Sequence, residues 1–247
     1  MKRSNRTRHY YVACLAARTS VFLFLTIYAI SKPTLFAEQL AFGPVRFTPL
    51  TAVWILLMLS MVFRLFPSSF ESLGCQKEFA SRFRPTGQES PSIEEVHEAD
   101  RGARWVLLSW IALNAVFFAG YRCGMLNDAF MVCLAGFYGM CDIICILFFC
   151  PFQAWMMHNR CCSTCRIYNW DYFMICTPLL CLNGFFSAAA CILAAILLLR
   201  WEFTYIRRRE RFFESSNEAL KCRECQEHLC QYKRAMQNTR KRSTPQH

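Results

Sequence analysis

Five long apolar stretches limit what this sequence can fold into. They cover approximately residues 10–30, 50–66, 105–121, 130–152 and 173–199. Because a helix needs roughly 20 apolar residues to cross the hydrocarbon layer of a bilayer, each stretch is a candidate membrane span. Hydrophobic residues make up 55% of the chain, and the mean hydropathy is +0.20. The pattern predicts an all-α, polytopic helical membrane protein with four or five transmembrane helices and cysteine-rich cytoplasmic segments.

The predicted organisation has six parts along the chain. They are an N-terminal tail with the first two spans (1–66), a polar connector with amphipathic helices (67–103), spans three and four (104–152), a cysteine-rich connector (153–172), a fifth hydrophobic segment that can be re-entrant (173–199), and a basic tail containing cysteines (200–247). The N-terminus is basic and then apolar, as in a signal peptide. It lacks a small-x-small cleavage site at the end of the apolar run, so we expect an uncleaved first span.

Shorter helices are predicted in the polar parts. Four apolar residues predict a surface helix in the first connector: Phe70, Leu73, Phe79 and Phe83. Ser90 and Pro91, followed by acidic residues, predict the start of a second helix that ends near Gly102. The tail is predicted to be helical over residues 203–220 and frayed over its last residues, TRKRSTPQH.

Positive charge favours an even number of crossings. The chain has 28 Lys and Arg residues against 17 Asp and Glu, for a net charge of +11. Five crossings would divide the positive residues almost evenly between the two sides, against the positive-inside rule. If the fifth stretch enters and leaves on one side, 24 positive residues face the cytoplasm and three face away; for the fourth stretch the division is 22 to five. Charge does not decide between these two stretches.

Two Cys-x-x-Cys motifs in polar sequence are the strongest candidate site. Cys162 and Cys165 form one motif, Cys222 and Cys225 form the other, and 56 residues separate them. Two such pairs supply the four thiolates of a tetrahedral zinc site, and neighbouring Arg and Lys residues favour the thiolate form. We therefore predict a shared zinc site, which needs both motifs on one side of the membrane.

Alternatives to that site remain open. Cys161, His228 and Cys230 are reserve ligands, and iron is the alternative metal in a thiol redox or electron-transfer protein. Asp142, inside the fourth stretch, makes a transporter or channel the third class, because an intramembrane carboxylate is costly and often functional. A buried carboxyl group bonded to a neighbouring helix is the competing interpretation, and Arg18 is its candidate partner.

The expected surroundings follow from charge and hydropathy. We expect the lipid bilayer around the spans, anionic lipid headgroups at the basic tail, and a protein partner or a second copy of the chain. Nucleic acid is not an expected partner. The predicted location is the cell (plasma) membrane, with both termini in the cytoplasm.

Overall fold

α-Helices make up most of the molecule in the computed structural model, which describes residues 2–33, 48–87, 90–159 and 161–225. The helical content is about 76%, and the described ranges contain no strand. The α-helices in these ranges are α1 (Lys2–Ser31), α2 (Pro49–Arg64), α3 (Leu73–Gln76), α4 (Ile93–Arg122), α5 (Asp128–Leu147), α6 (Asp171–Cys176) and α7 (Phe185–Arg207). Thr7–Ser31 of α1, and α4, α5 and α7, are long and apolar enough to cross a membrane, and α2 is a shorter apolar helix. The predicted fold class is confirmed.

The first helix packs along α5 in the opposite direction. Tyr11, near the start of α1, packs with Ile143 and Leu147 near the end of α5. Leu25, near the end of α1, packs with Met131 near the start of α5. The start of α1 therefore lies at the same side of the bundle as the end of α5.

The fifth apolar stretch is broken into two limbs. After α6 it continues as a 3-10 turn over Thr177–Cys181 and reverses at residues 182–184, where α7 begins. Pro178 in this turn has no backbone N–H and cannot continue an α-helical ladder. Before the first limb, the indole Nε1 of Trp170 donates to Oε1 of Glu202 near the end of α7, at 2.7 Å. The stretch therefore enters and leaves on the same side of the bundle.

This reversal gives the described helices an even number of passes. Leu182 packs with Leu25 and Met131, in a cluster that also includes Leu50 of α2 and Tyr121 of α4. The turn therefore lies at the opposite end of the helices from Trp170. We name the two ends by their content: the basic side holds residues 2–11, 65–87, 90–92, 148–159, 161–170 and 201–225, and the opposite side holds residues 122–128 and 182–184.

The loop between α2 and α4 differs from the predicted surface helix. In the described part of this loop, residues 65–87 and 90–92, the helical elements are α3 and a 3-10 turn at Ala80–Arg82. Phe79 is buried rather than lying at a surface, and the neighbouring Lys77 is fully buried. An amphipathic helix keeps its polar residues in water, whereas here a lysine points into the protein, so the helix prediction was wrong.

The start and end predicted for the second connector helix also need correction. Ser92, not Ser90, caps α4: its hydroxyl accepts from the N–H of Glu95, and the Glu95 side chain bonds the N–H of Ser92 in return. The helix then runs through Gly102 without a break. Gly102 marks a close contact instead of an end, because a Cβ there would lie 2.9 Å from Sδ of Met157.

The tail turns back toward the helices after α7 ends at Arg207. The helix predicted over residues 203–220 therefore forms only as far as Arg207, and the prediction was wrong for the rest. Short 3-10 turns follow at Arg209–Arg211, Glu218–Leu220 and Cys222–Glu224. The cause is Phe212, whose ring packs on Trp201 and Tyr205 with centroids 4.9 and 5.2 Å away. A continued helix would carry Phe212 away from these rings. The last residues, TRKRSTPQH, lie outside the described ranges.

Candidate functional site

Three segments meet on the basic side: the loop (residues 65–87 and 90–92), the connector (residues 148–159 and 161–170), and the first part of the tail. The loop and the tail are joined through their backbones, since the N–H of Glu218 donates to the carbonyl of Arg84 at 2.7 Å and the N–H of Thr86 donates to that of Ser216 at 3.2 Å. We call the three joined segments the basic-side platform. Three buried cations fasten it together or to the helices.

Lys77 is the first of these cations and has no exposed surface. Its Nζ donates to the carbonyls of Cys165 at 2.7 Å and Ser163 at 3.1 Å, both in the connector. The same Nζ lies 5.4 Å from the ring centroids of Trp201 and Phe212. Burial lowers the pKa of Lys77 to about 7, because the ammonium loses its hydration. One side chain thus links the loop, the connector, α7 and the tail.

Arg166 is the second cation and joins the connector to α4 and α7. Its guanidinium binds the carboxylate of Glu202 through two nitrogens, with Nη1 to Oε1 at 2.7 Å. Asp100 lies 3.6 Å from its Nε, and the ring of Tyr205 lies 3.6 Å below its Cζ. Burial disfavours the charged form, but the bonds to Glu202 outweigh it and raise the pKa of Arg166. A fork-shaped donor suits such a site better than an ammonium.

Arg64 is the third cation, at the end of α2. It bonds Oδ1 of Asn169 at 2.9 Å and Oδ2 of Asp171 at 3.2 Å, and its Nε lies 3.0 Å from Glu71. These contacts tie the second helix to the start of α6. A buried charge is tolerated only where partners and hydrogen bonds replace water, and each of the three cations has them.

Glu78 adds a titratable carboxyl group beside this set. It is buried, and its side chain lies 4.0 Å from Nη2 of Arg200. Burial raises the pKa of Glu78 to about 7, and the nearby Arg200 opposes this rise. Lys77 and Glu78 are therefore adjacent residues that both change charge close to neutral pH.

The two Cys-x-x-Cys motifs lie on the basic side and have similar backbones. Each forms a 3-10 turn. In the first turn the N–H of Cys165 donates to the carbonyl of Cys162 at 3.0 Å, and in the second the N–H of Cys225 donates to the carbonyl of Cys222 at 3.3 Å. Both turns end in extended residues. The two motifs thus lie on the same side of the helix bundle, as a joint site requires.

The thiols of the first motif point into the protein. Cys162 and Cys165 line a cavity of about 140 Å³ together with Cys150 and two cysteines of α5, Cys141 and Cys145. Burial raises the pKa of the Cys165 thiol, and nearby Lys77 opposes this. Burial therefore works against the thiolate form at Cys165, which the predicted metal site requires.

The second motif is more open to water. Cys222 is exposed and Cys225 is partly buried. Among the residues that the structure describes, no group of three or more His, Cys, Asp or Glu side chains is placed to hold a metal ion. Of the reserve ligands, Cys161 is partly buried, and His228 and Cys230 lie outside the described residues. The shared zinc site stays a prediction.

Asp142 has the partner that the sequence suggested. Nη1 of Arg18 lies 2.6 Å from its Oδ2 and also donates to the carbonyl of Gly139 at 2.9 Å. Arg18 lines an apolar crevice of about 420 Å³ between α1 and α2, whereas Asp142 lines the cysteine-lined cavity. The ion pair therefore lies between two cavities within the helices.

Sequence reasoning missed the cations that fasten the platform. Lys77 lies in a polar run, Cys-Gln-Lys-Glu, in which no residue type distinguishes it from a solvated lysine. Arg166 was interpreted as a group that favours thiolates, but it is bound to Glu202. Trp201, whose ring faces Lys77, was the available signal, since aromatic faces attract cations.

Comparison with known proteins adds no further assignment, because no family model, curated protein or solved structure matches this chain.

Proposed function

We propose that this chain is a structural or interaction protein of the membrane, which holds a rigid basic platform at one face of the bilayer. The observation that carries the proposal is that Lys77 joins loop, connector and tail, while Arg64 and Arg166 fasten the connector to the helices. Catalysis does not require three separate segments to be locked together in this way, whereas a docking surface gains affinity when it is ordered before binding.

Exposed arginines adjoin the platform at the end of α7. They are Arg207, Arg208 and Arg209. Clusters of arginine that directly follow a membrane helix attract anionic headgroups, at about 1 kcal/mol for each charge near the surface. The partner of these three arginines, the α7 cluster, is then an anionic lipid. A protein partner or a second copy of the chain would bind the same platform.

Lipid exchange in nanodiscs tests the lipid partner. Full-length protein is placed in discs of mixed phosphatidylcholine and phosphatidylserine, and the lipids that stay bound after mild detergent extraction are counted by mass spectrometry. Replacing Arg207, Arg208 and Arg209 by Gln removes on the order of 3 kcal/mol of attraction, so retained phosphatidylserine falls strongly. Arg122→Gln, at the end of α4 on the opposite side, is the matched control. Equal retention by both variants, or no loss at high salt, contradicts the proposal.

The orientation belongs to the same proposal. We place the basic side in the cytoplasm of a cell membrane, with both termini there, because positive loops are retained inside. A reporter active only in the cytoplasm, fused to either terminus, is expected to be active in both fusions. Activity in one fusion only would contradict an even number of crossings.

A shared zinc site is the second proposal, and the matching turns at Cys162–Thr164 and Cys222–Glu224 support it. Elemental analysis of gently purified protein is expected to give about one zinc per chain. Cys165→Ser or Cys225→Ser removes the metal, whereas Cys123→Ser, an exposed cysteine on the opposite side, does not. No metal in the parent protein contradicts the site.

Iron with visible absorption would instead favour the electron-transfer alternative. A metal-free protein in which one thiol of a motif reacts fast with alkylating agents would favour thiol redox chemistry. A role of Asp142 in transport is the third alternative, and its position between two cavities supports it. Normal flux in an Asp142→Asn variant would exclude a role for that carboxylate.

A further inference from the structure

A groove at the rim of the basic side lies apart from the platform cations. One wall is the face of α4 that carries Glu98, Arg101, Trp105 and Ser109, and the other is the turn of the connector over Trp155–His158. The groove has a volume of about 590 Å³, which falls in the range of small-molecule sites.

The connector wall is held tightly against α4. Gly102 forms the floor, and an added Cβ there would lie 3.0 Å from the carbonyl oxygen of Met156 and 2.9 Å from Sδ of Met157. The hydroxyl of Ser109 lies 3.8 Å from Sδ of Met156. His158 follows with a φ of 50°, a left-handed conformation that a residue with a side chain rarely adopts. The exposed imidazole of His158 is thus held at the rim by a strained backbone.

Chemically different residues follow one another along the α4 wall. Glu98, Arg101, Trp105 and Ser109 are spaced by three or four residues and therefore share one face of the helix. With a rise of about 1.5 Å per residue, Arg101 lies roughly 4.5 Å and Trp105 roughly 10 Å below Glu98. The order from water toward the apolar layer is carboxylate, guanidinium, indole and hydroxyl.

The groove lies at the depth of lipid headgroups. Trp105 is 60% exposed and Trp155 is 68% exposed, and indoles of this kind occupy the boundary between water and hydrocarbon. Below Trp105 the same helix exposes large apolar side chains, among them Leu108 and Ile111. The groove therefore opens upward to water and downward to the acyl chains.

We propose that this groove binds one phospholipid with an ethanolamine headgroup. Its phosphate lies at Arg101 and His158, its ammonium group at Glu98, and its acyl chain along α4 below Trp105. An ethanolamine phospholipid presents amine, phosphate, ester and chain in the same order in which α4 presents their complements.

Two features of the groove select this lipid among others. Glu98 repels a headgroup with a net negative charge, so phosphatidylglycerol binds more weakly. A primary ammonium donates hydrogen bonds to the carboxylate of Glu98. The quaternary ammonium of choline has no N–H and cannot donate them. Trp105 lies too deep to surround the amine, so the cation–π contacts that favour choline are not available from that residue.

Mass spectrometry of the intact, full-length protein tests the site. Protein released from nanodiscs that contain equal amounts of phosphatidylethanolamine, phosphatidylcholine and phosphatidylglycerol is expected to retain one ethanolamine lipid, about tenfold more often than either other lipid. Arg101→Gln reduces retention of all three lipids about tenfold, because a charge-assisted bond to phosphate is lost. Glu98→Gln keeps the retention but removes the preference over choline.

Arg104→Gln is the matched control, because Arg104 is also exposed on α4 but does not line the groove. Equal behaviour of the Arg101 and Arg104 variants would overturn the site. Equal retention of the three lipids by the parent protein would overturn the assignment of ethanolamine. Unchanged melting temperatures in detergent show that each variant is folded, since the replaced side chains are exposed.

Discussion

Replacing Lys77 by Met is expected to change how the stability of this protein depends on pH. The folded protein holds the ammonium without water, and the pKa of Lys77 falls from 10.5 to about 7. Unfolded chains bind that proton up to about pH 10.5, so between pH 7 and 10.5 the unfolded state binds more protons than the folded one. Stability from Lys77 is therefore present above pH 10.5 and is lost as the pH falls through 7.

The size of this effect follows from the pKa of Lys77. One pKa unit corresponds to 1.36 kcal/mol, so the full range from pH 7 to 10.5 is worth on the order of 5 kcal/mol, and the interval from pH 6 to 9 about 2–3 kcal/mol. Lys77→Met keeps an unbranched side chain that is one atom shorter and removes the titrating group. The free energy of unfolding of the parent should thus rise relative to the variant by about 2–3 kcal/mol over that interval.

Thermal unfolding in detergent micelles at pH 6, 7, 8 and 9 measures the difference. For a chain of this size, the difference in melting temperature should change by roughly 5–10 °C across the series. Lys221→Met is the control, because Lys221 is also on the basic side but is only partly buried, and its curve should stay parallel to that of the parent. Parallel curves for the parent and Lys77→Met would refute the argument that a desolvated ammonium titrates near neutral pH.

Three further substitutions have expected outcomes. Burial raises the pKa of Glu78 to about 7, so the parent has stability from this group below pH 4.5 and loses it as the pH rises through about 7. Glu78→Gln should remove this contribution, and melting curves at pH 5 and 8 check the sign. Ser92→Ala should cost about 1 kcal/mol through loss of the cap on Glu95, seen as a drop of about 2–4 °C in melting temperature; no drop would mean that the cap is not formed. Asp142→Asn should lower the free energy of unfolding by about 3–5 kcal/mol, because it leaves Arg18 charged and without its carboxylate among the helices. A double variant with Arg18→Gln should recover part of the loss. No recovery would contradict the pairing.

The spans were predictable because apolar length is a local property of sequence. The pair of Arg18 and Asp142 was one of the interpretations that the sequence left open, since only a few charged residues occur inside the apolar stretches and each needs a partner there. Positive charge favoured an even number of crossings, and the fifth stretch does turn back after the 3-10 turn that contains Pro178. These features follow from the solvent around the helices more than from contacts between distant residues.

The basic-side platform was not predictable in the same way. The environment of Lys77 consists of residues 86 to 135 positions later in the chain, such as Ser163 and Phe212, and no local pattern records such contacts. The tail was predicted as a helix from its local composition, but the contacts of Phe212 with Trp201 override that propensity. The cysteine motifs were recognised by spacing, yet spacing does not say that Cys165 faces the interior.

The distance in sequence between Lys77 and Phe212 has a consequence for biosynthesis. Lys77 leaves the ribosome well before Trp201 and Phe212, whose rings cover its ammonium in the finished protein. At about 5–20 residues per second, the wait is on the order of 10 s. During this time the first helices are in the membrane while their loop has no tail to close it. A nascent chain halted before Trp201 should therefore expose Lys77 to water and to proteases, and release of the complete tail should end that exposure.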